Sequence, residues 1–427
     1  MEIKKEELSK VKVKIIIDVT EAELKPHIEK VYKNLAKGLK IAGFRPGKAP
    51  QFVVEKEIGQ DKFYAEVLDS VLPEAYYNAI TQEKIVTVSR PDIKVTKYAP
   101  TGGLTFEAEV EVLPEVVLPD YKKIKISKKE VKVTGKDIDN SIQELQERYA
   151  EFRDVERKAV KGDRVEINFE GSKGGKLVEG SKGEKYPVTI GAGMFIPGFE
   201  ENLIGMSKEE EKTFDVTFPK DYHEKRLQGE KVTFKAKIIS ISEKVLPELN
   251  DDFAKKFGIF KNADELRKGV EKNLAEVKEM EERRRLEEDI MTKISEKTKV
   301  EVPDALIHQE IHSMLHTAEH NLQSSGLTME QYLKTSGKTM EDIEKEMKPD
   351  AEKRVKMGLV LSKISEVEGM GVTKEEVEIE KNVILASAGE KKEEVEKKLS
   401  EHETVHQIEN SIVSRKTMDR LIDYCAK

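Results

Sequence analysis

The chain has no tryptophan and one cysteine, Cys425, among its 427 residues. A lone cysteine excludes an internal disulfide framework and suits a reducing compartment. No run of about 18 apolar residues occurs, so no membrane-spanning helix is expected. Met1 to Glu7 is mostly charged and lacks the apolar stretch of a secretory signal. No glycine-rich phosphate loop, no Ser/His/Asp arrangement and no cysteine-based metal site is recognisable. ATP-driven work and triad hydrolysis therefore have no carriers, and no cofactor is expected. A formal net charge of −8 argues against generic binding to DNA.

Charged residues instead make up 37% of the chain and aromatics only 6%. That composition suits long Lys/Glu-rich helices better than one large compact core. At about 150 residues per domain, the length suggests roughly three domains. Val11, Val13, Ile15, Ile17 and Val19 alternate as one face of a strand. Thr20 with Glu23 then forms a capping box opening a helix, whose buried stripe is Leu24, Ile28, Val31, Leu35 and Leu39. Its other face carries Lys25, Lys30, Lys33, Lys37 and Lys40. With Arg45 and Lys48, residues 25–48 hold seven cations against one acid, Glu29, a local +6. This helix runs into Gly43-Phe44-Arg45-Pro46-Gly47-Lys48-Ala49-Pro50. Two Gly and two Pro forbid regular structure there. The result is a stiff loop presenting a Phe and two cations, suited to docking on an anionic surface.

Helices are expected over 51–58 and 61–81. Strands are expected over 85–98 and 104–113, joined at Pro100-Thr101-Gly102-Gly103. Residues 114–150 read as a semi-rigid connecting arm rather than core, with a charged strand at Lys123 to Ser127 and a helix over 136–149. Residues 151–243 change character. Strands are expected at 165–169, 188–190, 212–218 and 232–238, with a short helix after Pro197-Gly198-Phe199. From about residue 246 nearly everything is helical: 262–298, 304–324, 339–368, 374–388 and 403–425, with breaks or kinks at Pro303, Gly326, Pro349 and Gly369.

Gly191-Ala192-Gly193-Met194-Phe195-Ile196-Pro197-Gly198-Phe199-Glu200, followed by Thr217-Phe218-Pro219-Lys220-Asp221-Tyr222, resembles the FKBP-type peptidyl-prolyl isomerases in order and spacing. The resemblance implies a curved antiparallel sheet wrapped on one helix. It also implies a prolyl pocket drawn from Phe169, Val178, Glu179, Tyr186, Phe195, Ile196, Phe199, Tyr222 and Phe234, with the Ile196 N–H donating to the substrate carbonyl. Phe214 and Phe218 are expected in the core. Val178 replaces a family aromatic, and Asn168 stands where close relatives carry Asp, so activity is expected to be weak.

The loop at residues 43–50 resembles the Gly-Phe-Arg-x-Gly-x-x-Pro signature of bacterial trigger factors, which are ribosome-associated chaperones. The domain order agrees over essentially the whole chain. The family implies a multidomain α+β protein: a ribosome-binding α+β domain (1–113), an arm (114–150), an FKBP-like antiparallel β domain with one short helix (151–243), and an elongated all-α chaperone domain (244–427). Gly43, Phe44, Arg45, Gly47, Lys48 and Pro50 would contact rRNA and an exit-site protein of the large subunit at the tunnel exit. Pro46 replaces a cation usual in the family, so docking is expected to have less electrostatic help. The helical domain would hold nascent and unfolded polypeptides, with methionines such as Met314, Met340 and Met347 as adaptable contacts or as gap fillers between helices. The family also implies a cytoplasmic, partly ribosome-bound protein that aids folding and export, with a weak homodimer off the ribosome. A free-standing prolyl isomerase and a scaffold with an inactive isomerase domain are the competing readings. Finally, His308, His312, His316 and His320 share one helix face, and His402 and His406 repeat that spacing. Such pairs either chelate a transition metal or simply form a polar face.

Overall fold

The computed structural model describes residues 1–42, 44–99, 102–222 and 226–427, and of Glu179 only the backbone. Two compact units emerge: Met1–Lys128 with Arg283–Lys427, and Lys129–Glu282.

The first unit begins with a four-stranded antiparallel sheet in the order β1-β2-β4-β3. Its strands are β1 (Glu2–Glu7), β2 (Lys12–Val19), β3 (Asp92–Ala99) and β4 (Gly103–Glu111). Between β2 and β3 lie α1 (Glu21–Gly38), α2 (Gln51–Ile58) and α3 (Gln60–Gln82). The alternation read in β2 is buried as expected: Val13, Ile15, Ile17 and Val19 face the core. Ile15 lies opposite Ala108 and Ile17 opposite Phe106. Leu24 of α1 and Val71, Ala75 and Ala79 of α3 cover this face. The capping box forms through its carboxylate, Glu23 accepting from the Thr20 N–H at 3.0 Å and from its hydroxyl at 2.8 Å.

Two expectations change here. Strand β3 starts at Asp92, not Ile85, because Pro91 interrupts the ladder, and only a bridge from Thr87 to Val112 precedes it. β1 was not anticipated, since Glu-Ile-Lys-Lys-Glu-Glu shows no apolar alternation. As an edge strand it needs only one buried contact face, and its charges suit an edge.

The second unit holds α4 (Gly135–Arg148), β5 (Glu151–Asp154), β6 (Arg164–Lys173), β7 (Lys176–Thr189), α5 (Phe199–Leu203), β8 (Glu211–Thr217), β9 (Lys231–Val245) and α6 (Asp251–Lys255). Its five strands pair antiparallel, in the order β5-β9-β6-β7 with β8 also on β9. The sheet packs on α5 around Val165, Ile167, Phe199, Leu203, Phe214 and Ile238. Phe214 and Phe218 are buried, as the sequence suggests.

Helices α7 (Ala263–Lys297), α8 (Asp304–Ser324), α9 (Met329–Ser336), α10 (Met340–Val367), α11 (Lys374–Ser387), α12 (Lys392–Leu399) and α13 (His402–Cys425) complete the chain. Pro349, read as a break or kink, does not end the helix: α10 runs through it, in keeping with the single helical segment expected over 339–368. A proline inside a helix costs about 3 kcal/mol. Ile343 and Ala351, on either side of it, are both buried with Ile307, Ile311 and Leu315 of α8, and that burial holds the helix together.

The arm also departs from expectation. Lys123 to Ser127 is no strand: Tyr121–Lys123 is a 3-10 turn, and Ile126 makes only a bridge to Ala426. Nor is it solvent-facing, because Tyr121, Ile124 and Ile126 are buried with Ile290, Ile294, Ile364 and Leu421. At this core the Glu368 carboxylate accepts from Tyr121 Oη at 2.5 Å and Tyr424 Oη at 3.0 Å, and pairs with Lys122 Nζ at 2.8 Å.

The Lys122 ammonium and then the Tyr121 hydroxyl hold Glu368 at a pKa of about 2, below its ordinary 4.5. A depressed carboxylate contributes stability above its unfolded pKa and loses it as pH falls through the folded one. Glu368→Gln should therefore lower the thermal midpoint at pH 7 by about 2–4 °C. The gap between variant and parent should shrink below pH 4. A gap that is independent of pH in calorimetric scans would refute the charge-based account.

Candidate functional sites

The second unit contains an open cleft of about 740 Å³. Phe169 on β6, Val178 and Tyr186 on β7, Phe195 and Ile196 on the loop before α5, Tyr222 after β8 and Phe234 on β9 all line it. Met194, Phe218, Pro219 and Leu227, which the sequence reading did not assign to the pocket, also contribute. Phe199 does not reach the surface. It is fully buried, with its ring stacked behind Phe195 at 4.6 Å and meeting Phe234 edge-on at 5.2 Å. Phe199 therefore backs the wall and fixes the rings that form it. The Glu179 side chain lies outside the described residues.

Phe169 is the hub of the aromatic set. Its ring meets Tyr186, Phe195 and Phe199 edge-on at 5.9, 5.7 and 5.8 Å. Edge-to-face rings of this kind add about 0.5–1.5 kcal/mol per pair beyond burial. The position exists because Gly183, paired opposite Phe169 across the strands, has no side chain. A Cβ there would stand 2.5 Å from the Phe169 ring.

Glu200 is the residue that sequence reasoning passed over. It is buried, yet its carboxylate accepts from the N–H groups of Gly191 at 2.8 Å, Gly193 at 3.0 Å and Phe195 at 3.0 Å. Burial by itself would raise its pKa, but these donors outweigh that penalty and the pKa is lowered. The charge thus folds residues 191–195 into one fixed turn. The Ile196 N–H that follows donates to no acceptor among the described residues. The signal was available in sequence, as a Glu placed just inside a short helix after a glycine-rich run. Asn168 is used structurally, its side-chain oxygen accepting from the Lys185 N–H at 2.7 Å.

In the first unit the cationic loop is held at its base. The Tyr32 hydroxyl donates to the Ala49 carbonyl at 2.5 Å, and Ala49 itself is buried. The Gly47 N–H donates to the Ala36 carbonyl at 2.8 Å, from a backbone φ of +79° that favours glycine. Lys48 N–H closes a turn onto the Arg45 carbonyl at 2.9 Å. Above this base Phe44 is 41% exposed, and Arg45, Pro46, Lys48 and Pro50 are also exposed. Among the described residues no carboxylate pairs with Arg45 or Lys48. Gly43 lies outside the described residues. Phe52 on α2, at 70% exposure, is a second outward aromatic close in sequence that the reading did not flag.

Comparison with known proteins agrees with this architecture. Residues 1–145 match the family model for bacterial trigger factor protein, and residues 262–423 match that for the trigger factor C-terminus. The chain belongs to the trigger factor family. Residues 155–239 match FKBP-type peptidyl-prolyl cis-trans isomerase, so the cleft lies within an FKBP-type domain. Trigger factor of Caldicellulosiruptor bescii is 36% identical over 98% of this chain and 95% of its own. That of Halothermothrix orenii is 35% identical over 99% of each chain, and that of Bacillus cereus is 36% identical over 96% of this chain and 97% of its own. A solved trigger factor chaperone structure, described in terms of promiscuous substrate recognition in folding and assembly, superposes with a TM-score of 0.51 at 22% identity. It covers 99% of both chains.

Glu200→Gln keeps the shape of the side chain and removes the charge that the three N–H groups grip. The FKBP-type domain should lose about 1–3 kcal/mol, the range for charged buried hydrogen bonds. Denaturant unfolding of the full chain, followed through that domain, should show the loss at pH 7. An unchanged midpoint would mean the carboxylate is dispensable to the turn.

Proposed function

We propose that this chain is an ATP-independent chaperone that docks beside the nascent-chain exit of the large ribosomal subunit, in the cytoplasm. There it holds emerging, unfolded polypeptides and isomerises their X–Pro bonds. The observation that carries the catalytic half is the aromatic cleft with the Ile196 N–H beside it, which has no acceptor among the described residues. Rotation about an X–Pro bond must break amide resonance. The barrier is about 18–20 kcal/mol. An apolar wall of Phe169, Phe195, Tyr222 and Phe234 disfavours the polar planar amide relative to the twisted one. The Ile196 N–H holds the substrate carbonyl while the prolyl nitrogen turns. No nucleophile and no proton relay take part. Stabilising the twisted state by about 4 kcal/mol more than the ground state accelerates rotation roughly a thousandfold.

The docking half rests on Phe44 and Arg45, exposed on a loop whose base is fixed. Arg pairs bidentately with phosphate or carboxylate, and a presented Phe fills an apolar crevice. Because the loop is shaped before contact, little ordering entropy is lost on docking. Pro46 adds rigidity to the loop.

Two measurements test these halves separately. In a prolyl-peptide assay the full chain should catalyse isomerisation, and Tyr222→Ala should lower kcat/KM at least tenfold. A parent chain at the uncatalysed rate would sink the catalytic assignment. In co-sedimentation with ribosomes, Phe44→Ala/Arg45→Ala should bind at least tenfold more weakly while keeping parent isomerase activity. Binding at the parent level would overturn the docking assignment.

A further inference from the structure

Among the described residues, neither the cleft nor the docking loop uses a histidine. Two groups of them lie at helical spacing. On α8, His308, His312, His316 and His320 are all exposed, and no carboxylate orients any of them among the described residues. The pair at the start of α13 is different. His402 and His406 are both exposed, and their rings stand 4.6 Å apart, centroid to centroid, at 79° to one another. One turn further on, Glu409 Oε2 lies 2.9 Å from His406 Nδ1.

That third residue gives the pair a direction. A carboxylate on Nδ1 fixes the tautomer with the proton on that nitrogen, leaving the Nε2 lone pair free. Metal-binding histidines are oriented by the same arrangement in many proteins. The ring separation also fits one shared ion. With metal–nitrogen bonds of about 2.1 Å, two imidazoles meeting one metal at 90–110° have centroids roughly 4.6–5.2 Å apart. The observed 4.6 Å lies at the short end of that range. Imidazole nitrogens favour late first-row ions such as Ni²⁺ or Cu²⁺ over oxygen-seeking Mg²⁺ or Ca²⁺.

We propose that His402 and His406 form a two-histidine site for a divalent transition metal of the Ni²⁺/Cu²⁺ class, with Glu409 as the positioning residue. Both ligands come from one helical turn, so the site is complete within α13. No third His, Cys, Asp or Glu joins it among the described residues, and water fills the other coordination positions. The ion clamps the first turn of α13, where the helix has no side-chain cap. The site binds the helical state alone, so metal raises the stability of that turn by mass action.

The test uses the full chain without an affinity tag, with His308, His312, His316 and His320 all changed to Ala. This leaves His402 and His406 as the remaining pair at this spacing. Calorimetric titration with Ni²⁺ should show one equivalent bound, undiminished by excess Mg²⁺. His406→Ala in that background should abolish binding, and Glu409→Gln should weaken it by about tenfold. These side chains are exposed or half-buried, so circular dichroism should be unchanged in each variant. No Ni²⁺ binding in the background chain overturns the proposal. So does binding that survives His406→Ala, and an affinity indifferent to Glu409→Gln removes the positioning role.

Discussion

A carboxylate taken out of water must keep its charge satisfied or lose it, and the FKBP-type domain is built on a case where it is kept. Glu200 sits under the aromatic wall with three N–H groups converging on it. Gly191 and Gly193, both at positive φ, leave the run before α5 with little of its own to hold its shape. The buried charge supplies that shape by giving successive amides one point to face. Phe195 is thereby set flat on Phe199, and the Ile196 N–H is left without an acceptor among the described residues. The Phe195–Ile196 side of the cleft follows from this one buried carboxylate.

The docking loop solves a related problem with neutral groups. Its aromatic and cations must be exposed together, which solvent alone would not arrange. Two groups on α1 hold it: the Tyr32 hydroxyl donates to the Ala49 carbonyl, and the Ala36 carbonyl accepts from the Gly47 amide. Rigidity is thus placed below the residues that point outward. Both sites present few chemical groups, and both depend on backbone held from behind.

The sequence was most legible where period and burial coincide. Ile15 and Ile17 show their face in alternation alone, and the aromatic set was readable from the Ile-Pro-Gly-Phe segment. Legibility failed where pairing overrides pattern. Lys176–Thr189 carries glycines and charges, and most of it is a strand only because β6 pairs with it. Ile124 and Ile126, read as part of a semi-rigid connecting arm rather than core, are buried because partners distant in sequence cover them. Pro349 reads as a break or a kink within its helical segment, and packing against α8 carries the helix past it. Glu200 stood in plain view within the motif, but its burial and its three donors are facts of three dimensions. The same is true of Gly183, whose missing side chain is what admits Phe169.

Cys425 was first noted for what a single cysteine excludes. It is fully buried beside Leu421 and Ile364, with its sulfur 3.5 Å from the Tyr121 carbonyl, and burial pushes its thiol pKa up. A buried, protonated thiol is a poor nucleophile until the surrounding helices part. With no second thiol in the chain to confuse the signal, its rate of alkylation becomes a clock for opening of that core. The purified protein thus carries its own reporter of local unfolding, without an introduced cysteine.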